Sequence, residues 1–486
     1  DQPMKPSLII LLLLTSVHPI CRINAAEPIE SRPNILLLLA DNWAWPHASI
    51  CGDESVKTPN FDRLAREGVM FTNAFCQVPS CSPARAVLLT GQASHRLQDA
   101  ASLWGNFPES LPTYTDQLSK AGYETAYTVK GWGPGLFHGE HHKKRNPAGS
   151  FHASFEEFYT NRSKDKPFCF WFGSHDPHQP WTRGDDFRAD LNPQQVHVPG
   201  YLPDHPIVRE TIVDYYAEVQ RFDHEAGEII EFLRREGQLD KTLVIMVGDN
   251  GWQTPRGLAN VYDAGTHVPM VVRWPNNIKA GQKREEFISF EDFAPTFLAA
   301  AGLSIPDVMT GRDFMPMLGN QAEPNPAWRE SIFLERERHA NVRQGDLGYP
   351  CRAIRTTDFL LVRNLTPDAW PAGDPQLYHA VGPFGDIDNT PFKALILENR
   401  SKPDFQPFFE LGFAKRPALE LYDLASDPDQ VHNVADNPKY ASTIKKLSAE
   451  LDSWMEATDD PRFENPTNAP FDRYPYFGQP ARALRK

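Results

Sequence analysis

Three continuous apolar runs dominate the chain, and each ends in a polar group. Asn34 to Ala40 leads into Asp41-Asn42, and Thr242 to Gly248 leads into Asp249-Asn250. Phe168 to Phe172 leads into Ser174-His175-Asp176-Pro177-His178. Unbroken apolar stretches of this length, without alternation, predict parallel strands buried on both faces. Helical spacing covers Asn60 to Glu67, Leu111 to Ala121 and Tyr215 to Glu236. Alternating strands and helices predict a doubly wound α/β sheet, whose ligands gather at the carboxyl ends of the strands. A Pro/Asn/Gly-rich zone, Gly319 to Pro326, then breaks the pattern. Shorter strands follow at Ser331 to Glu335, Arg352 to Arg355, Phe359 to Arg363 and Leu419 to Leu424, with a last helix over Tyr440 to Trp454. The expectation is a main α/β unit over 27–330 and a smaller antiparallel sheet-plus-helix unit over 331–486.

Met4-Lys5, the apolar run Leu8 to Leu14 and the small residues Ala25-Ala26 read as a signal peptide over 1–26. The run is too short to span a membrane. Export to a secreted or periplasmic location follows. A lipid anchor at Cys21 is the weaker reading, because bulky Ile20 precedes it. The 486 residues carry a net charge of −14, which argues against non-specific nucleic-acid binding. An anionic ligand would therefore need a local basic pocket. None of the six cysteines shows C-x-x-C spacing, so zinc and thioredoxin chemistry are poorly supported. A disulfide is open in an export compartment, with no readable connectivity.

Asp41, Asn42, Asp249 and Asn250 offer hard oxygen donors, which suit Ca²⁺, or Mg²⁺, better than Zn²⁺. Asp and Asn also commonly end strands for purely local reasons, so neither pair alone requires a metal. Between the pairs lies Cys81-Ser82-Pro83-Ala84-Arg85, running on to Thr90-Gly91. Pro83 suits the first turn of a helix and Gly91 its stop. Cys81 then sits at a helix N-terminus, where free N–H groups favour an anion, with Arg85 one turn on along the same face.

This C-x-P-x-R stretch resembles the type I sulfatases, whose cysteine is converted to formylglycine. The resemblance extends over most of the chain. It takes in both Asp-Asn pairs, Gly122-Tyr123-Glu124-Thr125 with Lys130, Asp176-Pro177-His178, and the late Glu420 to Leu424 with Asp427-Pro428 and Asn433. Gly248 to Tyr262, Tyr349 to Arg352 and Val362 to Leu365 look like the N-sulfoglucosamine sulfohydrolase branch. The resemblance implies an alkaline-phosphatase-like fold and a sulfatase acting on the O- or N-sulfate of a sulfated carbohydrate. It implies Cys81, Asp41, Asn42, Asp249 and Asn250 around a Ca²⁺ ion, with Cys81 matured by a formylglycine-generating or sulfatase-maturating enzyme. Arg85 and Lys130 would neutralise sulfate, and His178 would be the acid. His95, His175 and Arg256 would support substrate. By position alone, Glu335 to His339 and the charges of Pro367 to Pro417 are expected to contact sugar. Trp43, Trp45 and His47 form either a sugar-stacking wall or a lid on the core.

Three positions depart from the family pattern. Asn42 stands for a usual Asp, Trp132 lies in the Gly-rich stretch that usually carries a histidine, and Leu258 stands for a usual Lys or Arg. Two other readings compete: a phosphoesterase of the same superfamily, and a non-catalytic protein that binds sulfated glycans.

Overall fold

The computed structural model describes residues 32–137, 145–182, 186–275, 277–319, 328–376, 378–379, 382–467 and 469–478. The expected signal peptide, Cys21 and most of the Pro/Asn/Gly-rich zone lie outside these residues. The main sheet contains β1 (Asn34–Ala40), β2 (Val69–Phe75), β3 (Glu124–Val129), β4 (Ser150–Phe151), β5 (Phe168–Gly173), β6 (Thr242–Gly248), β7 (His267–Arg273) and β8 (Gln282–Ser289). Its strand order is β4-β3-β5-β1-β6-β7-β2-β8.

Strands β3, β5, β1 and β6 run parallel as neighbours at the centre. β7 is antiparallel to both β6 and β2, so the sheet is mixed. Every residue of β1 and β6 is buried, which explains their unbroken apolar runs. Leu36 and Leu38 enter one core, under helices α1 (Pro59–Glu67) and α5 (Pro206–Arg235). Ile35, Leu37 and Leu39 enter the other, under α2 (Cys81–Thr90) and the helix Phe293–Ala300. Opposite faces of one strand thus feed two cores, as the period of two requires.

Helix boundaries differ from the sequence expectation where capping decides them. α3 (Tyr114–Lys120) starts later than Leu111, because the Thr113 side chain accepts from the Asp116 N–H. α4 spans Phe155–Asn161. α5 begins at Pro206, nine residues before Tyr215. His205 caps it and proline occupies its first turn, where a missing N–H costs nothing. The second sheet has the order β14-β11-β10-β9, from β9 (Ser331–Arg336), β10 (Cys351–Thr356), β11 (Phe359–Asn364) and β14 (Leu419–Asp423). It is antiparallel throughout. The ribbon β12 (Tyr378–His379) and β13 (Gly382–Pro383) lies between them in sequence, and the last long helix is Ala441–Ala457. Phe75, Tyr262 and Phe287 share one apolar cluster with Leu334, Leu360 and Tyr422, so the two sheets meet through packed side chains. Cys51, Cys76, Cys81, Cys169 and Cys351 are all free. Among the described residues no helix is long and apolar enough to cross a membrane.

Gly173 ends β5 against the Lys130 carbonyl; a Cβ there would lie 1.8 Å from that oxygen. Gly173→Ala is therefore expected to destabilise the fold by about 1–3 kcal/mol through forced backbone displacement. Urea denaturation would read this as a lower midpoint at unchanged slope.

Candidate active site

The parallel order β3-β5-β1-β6 sets four strand ends side by side. They deliver Lys130, the 174–178 loop, Asp41-Asn42 and Asp249-Asn250 to one point. The Asp41 N–H donates to the Asp176 carbonyl at 2.8 Å, and the Asp249 N–H to the Ala40 carbonyl at 2.9 Å, fixing both turns. Asn42 takes φ 69°, a left-handed conformation that asparagine tolerates better than most residues. Its N–H donates to Asp249 Oδ1 at 2.8 Å.

Cys81 is the first residue of α2, and Gly91 stops the helix at φ 66°. Its Sγ lies 3.2 Å from Asp41 Oδ1, 3.6 Å from Asn42 Oδ1 and 3.8 Å from Asn250 Nδ2. The thiol marks the place where formylglycine oxygens would stand after conversion. Burial, and then the Asp41 charge, push this thiol well above its usual pKa. A thiolate nucleophile is disfavoured here.

Arg85 is fully buried one turn along the helix. Its Nε donates to Asp249 Oδ2 at 2.9 Å. One terminal nitrogen donates to the carbonyls of Lys130 and Gly131, each at 2.9 Å, and the other lies 3.5 Å from Asp41 Oδ1. Lys130 Nζ meets Asp41 Oδ2 at 2.6 Å. Burial alone would raise Asp41, but Lys130, His178 and Arg85 outweigh it and hold the carboxyl well below its usual range. Burial and the Asp41 charge raise Asp249 instead.

Asp41, Cys81 and Asp249 place one potential ligand atom each within 4.8 Å of one another. The buried Asn250 Oδ1 has no hydrogen-bond partner. An orphaned buried acceptor beside two carboxylates is what a bound cation would satisfy, so these oxygen donors fit Ca²⁺ or Mg²⁺.

His178 and His175 lie on the rim of this cluster. The His178 Nδ1–H donates to the Gln179 carbonyl at 2.6 Å, which leaves Nε2 to face Gln253 Nε2 at 3.4 Å. Gln253 accepts from the Gln179 N–H at 2.7 Å and donates to Asp388. His175 is exposed; burial and then Lys130 lower its pKa. One further neighbour escaped the sequence reading, Gln253, three residues past Asn250; Asp388 belongs to the charged Pro367-to-Pro417 stretch expected to contact sugar. His339 also reaches the site, with Nδ1 2.8 Å from the Oγ of Ser80, the residue capping α2.

Other expected site residues stand elsewhere. His95 follows the far end of a ten-residue helix, and ten residues span about 15 Å. Its buried ring contacts Glu335 at 3.1 Å and the Thr458 carbonyl at 3.1 Å, so it cannot touch substrate. Arg256 is buried 3.6 Å over the Tyr262 ring, with its guanidinium donating to the carbonyls of Leu411 and Gln430. Glu335 and Glu337 pair with Arg352, Arg336 pairs with Asp386, and Arg338 holds the carbonyls of Tyr474 and Pro475. Of the Glu335-to-His339 stretch, His339 alone reaches the N-terminus of α2. Trp132 is buried, donating to the Ser82 carbonyl at 2.9 Å, while Asn146 grips its backbone from both sides. Leu258 is also buried, its N–H bound to the Trp252 carbonyl at 2.8 Å. Trp43 packs against Phe61 and Phe222 as a lid on the core. The site is located by its chemistry rather than by cavity size. The groove of about 720 Å³ beside α5 is lined by none of Asp41, Cys81, Arg85 and Asp249.

The His95 environment predicts a pH effect on stability. Burial opposes its protonation, but Glu335 and Asp460 outweigh burial and raise its pKa above 6.5. The folded state thus holds the proton more tightly than the unfolded chain. This contribution is complete below the unfolded pKa and fades as pH rises through the folded one. Urea titrations from pH 6 to about 9 should show a loss of stability that His95→Gln largely removes.

Residues 33–303 match the sulfatase family, and residues 248–376 match the C-terminal domain of N-sulphoglucosamine sulphohydrolase. Human N-sulphoglucosamine sulphohydrolase is 29% identical over 481 residues, covering 89% of this chain and 92% of that protein. An ulvan-active sulfatase of Formosa agariphila is 26% identical, covering 89% of this chain and 76% of its own. A solved enzyme in complex with its substrate D-glucosamine-2-N,6-O-disulfate superposes with a TM-score of 0.66. It has 20% identity and covers 89% of this chain and 99% of that one, which establishes the shared fold. With the family match spanning more than half its length, the chain belongs to the sulfatase family and is a sulfatase.

Proposed function

We propose that this sulfatase removes sulfate from a sulfated carbohydrate, using formylglycine made from Cys81 and a bound Ca²⁺. The observation that carries the reading is the convergence of Cys81, Arg85, Lys130, Asp41 and Asp249 on one buried point, at distances of 2.6–3.5 Å. The relatives' names supply the substrate class, since those proteins act on sulfated glucosamine or ulvan. Residues 27–330 form the catalytic unit in this reading, and 331–486 a smaller unit packed against it. The leader over 1–26 directs the protein to the periplasm or the exterior.

Asp41, Asn42, Asp249 and Asn250 would hold the cation. When present, formylglycine supplies a hydroxyl nucleophile, and the cation supplies positive charge that acidifies it and draws electron density from sulfate. The chain's own groups do the rest. Lys130 Nζ presents a cation to the sulfate oxygens as charge develops. Arg85, locked to both carboxylates and two carbonyls, keeps the nucleophile helix in register with the strand ends. The α2 N-terminus adds free N–H groups that favour an anion. His178 is the proton donor to the leaving oxygen or nitrogen. Its Nδ1 bond to Gln179 fixes Nε2 as the exchanging atom.

Sulfate release should be measured with formylglycine-bearing protein and Ca²⁺ on N-sulfated glucosamine, heparan oligosaccharides and algal sulfated oligosaccharides. Cys81→Ala is expected to abolish release while leaving the fold intact; release at the unaltered rate would overturn the mechanism. His178→Ala should lower kcat by about 10²–10⁴-fold on a sugar sulfate. The loss should be much smaller on an aryl sulfate, whose leaving group needs no proton. Ca²⁺ at about 100 times its Kd should raise stability by about 2.7 kcal/mol. Asp249→Asn should abolish that increment in a calorimetric scan.

A further inference from the structure

A second cavity, of about 680 Å³, lies between the two sheets and contains neither Cys81 nor Lys130. Both catalytic strand ends feed it. Trp45 and His47 follow Asp41-Asn42, and Trp252 follows Asp249-Asn250. Its floor is buried and aromatic, with the His47 ring 4.6 Å from Trp252 and Trp252 5.3 Å from Tyr215. Its mouth is exposed, at the polar His197 and Asp358 and at Pro428.

One wall is the end of a ring stack. Phe75 and His267 stack at 4.4 Å and 11°, and His267 and Trp45 at 4.9 Å and 14°. The Trp45 backbone N–H donates to the His267 carbonyl at 2.9 Å, which ties the two segments together behind the stacked rings. Trp45 is half-buried and lines the cavity, so the stack terminates there on an aromatic surface.

The charges around the cavity select the ligand. Arg355 is spent on a two-pronged pair with Asp263, at 3.0 and 2.9 Å. Arg256 is spent on Tyr262 and two carbonyls. Burial lowers His267 to about 4, so that ring is neutral at pH 7. Among the described residues Asp358 and Asp429 form no ion pair, and Asp429 accepts from the Gly200 N–H at 2.7 Å. The buried Gln430 Nε2 has no hydrogen-bond partner. A wall with free carboxylates disfavours a sulfated ring. An aromatic surface beside carboxylate acceptors and an amide donor suits the apolar C–H face and hydroxyls of an uncharged sugar.

We propose that this cleft is an accessory saccharide site that takes an unsulfated pyranose unit. The ligand class rests on the carbohydrate reading above, but the site does not require that sulfate be released. Sugar bound there would bring an oligosaccharide to the loops that carry Asp41 and Asp249.

The test is a tryptophan-fluorescence titration and saturation-transfer NMR of the full-length protein with cellobiose and chitobiose. Saturable binding is expected at about 1–10 mM. Trp45→Ala and Asp429→Ala should each weaken it by about two- to tenfold. Both variants should hydrolyse an aryl sulfate within about twofold of the unaltered protein. Binding should persist in Cys81→Ala and withstand excess inorganic sulfate. If Trp45→Ala does not fold, Asp429→Ala and Asp358→Ala carry the test. No saturable signal to about 50 mM, or binding unchanged in all three cleft variants, would overturn the proposal. Loss of binding in Cys81→Ala, or displacement by sulfate, would overturn it too, by placing the sugar at the catalytic centre. Failure of the enzyme to release sulfate from any sugar, with cleft binding intact, would count against the proposed function alone.

Discussion

The buried Arg85 guanidinium is the constraint on which the site depends. It joins a helix, two central strand ends and the Lys130–Gly131 loop through donors that all point at fixed acceptors. Burying two carboxylates is costly unless they are paired and hydrogen-bonded. Arg85 and Lys130 provide that pairing before any metal arrives. Two carboxylates against two cations make the cluster neutral on its own. Because Asn42 and Asn250 add no charge, a divalent ion would leave the pocket positive. That is the polarity a sulfate needs in a protein whose overall charge is −14.

The strongest parts of this architecture were legible in the sequence because burial on both faces leaves an unmistakable run. β1, β5 and β6 announced themselves in that way, and Pro83 with Gly91 marked α2. The strands β2, β7 and β8 were not recognised. β8 mixes exposed charges with buried residues, and β7 follows directly on a short helical turn. The family resemblance assigned His95 and Arg256 to substrate support. The assignment fails for His95 because a rigid helix intervenes, and for Arg256 because an aromatic ring captures the cation. Gln253 carried no signal, and Asp388 and His339 were expected near sugar only by their position along the chain. Their roles emerge only when the loops of the second sheet are folded over the first.

The departures at Trp132 and Leu258 have local explanations. Trp132 is consumed in anchoring the α2 N-terminus through the Ser82 carbonyl, against Phe107. Leu258 fills a buried turn behind Asn250. Neither side chain offers a polar atom to the pocket. The polar groups on this rim of the cluster come from His178, and behind it Gln253 and Asp388.

The contact between His95 and the chain's end has a consequence for assembly in time. Asp41, Cys81, Arg85 and Lys130 are all made within the first third of synthesis, yet Asp249 comes more than a hundred residues after Lys130. His95 must wait longer still, since Glu335 and Thr458 hold its ring and Asp460 holds the adjoining Arg352. Pairings at such sequence separation form late and slowly. A ribosome that stops short of residue 458 therefore releases a chain in which Asp41, Cys81, Arg85, Lys130 and Asp249 are all present. Helix α2 would still lack the clasp behind it.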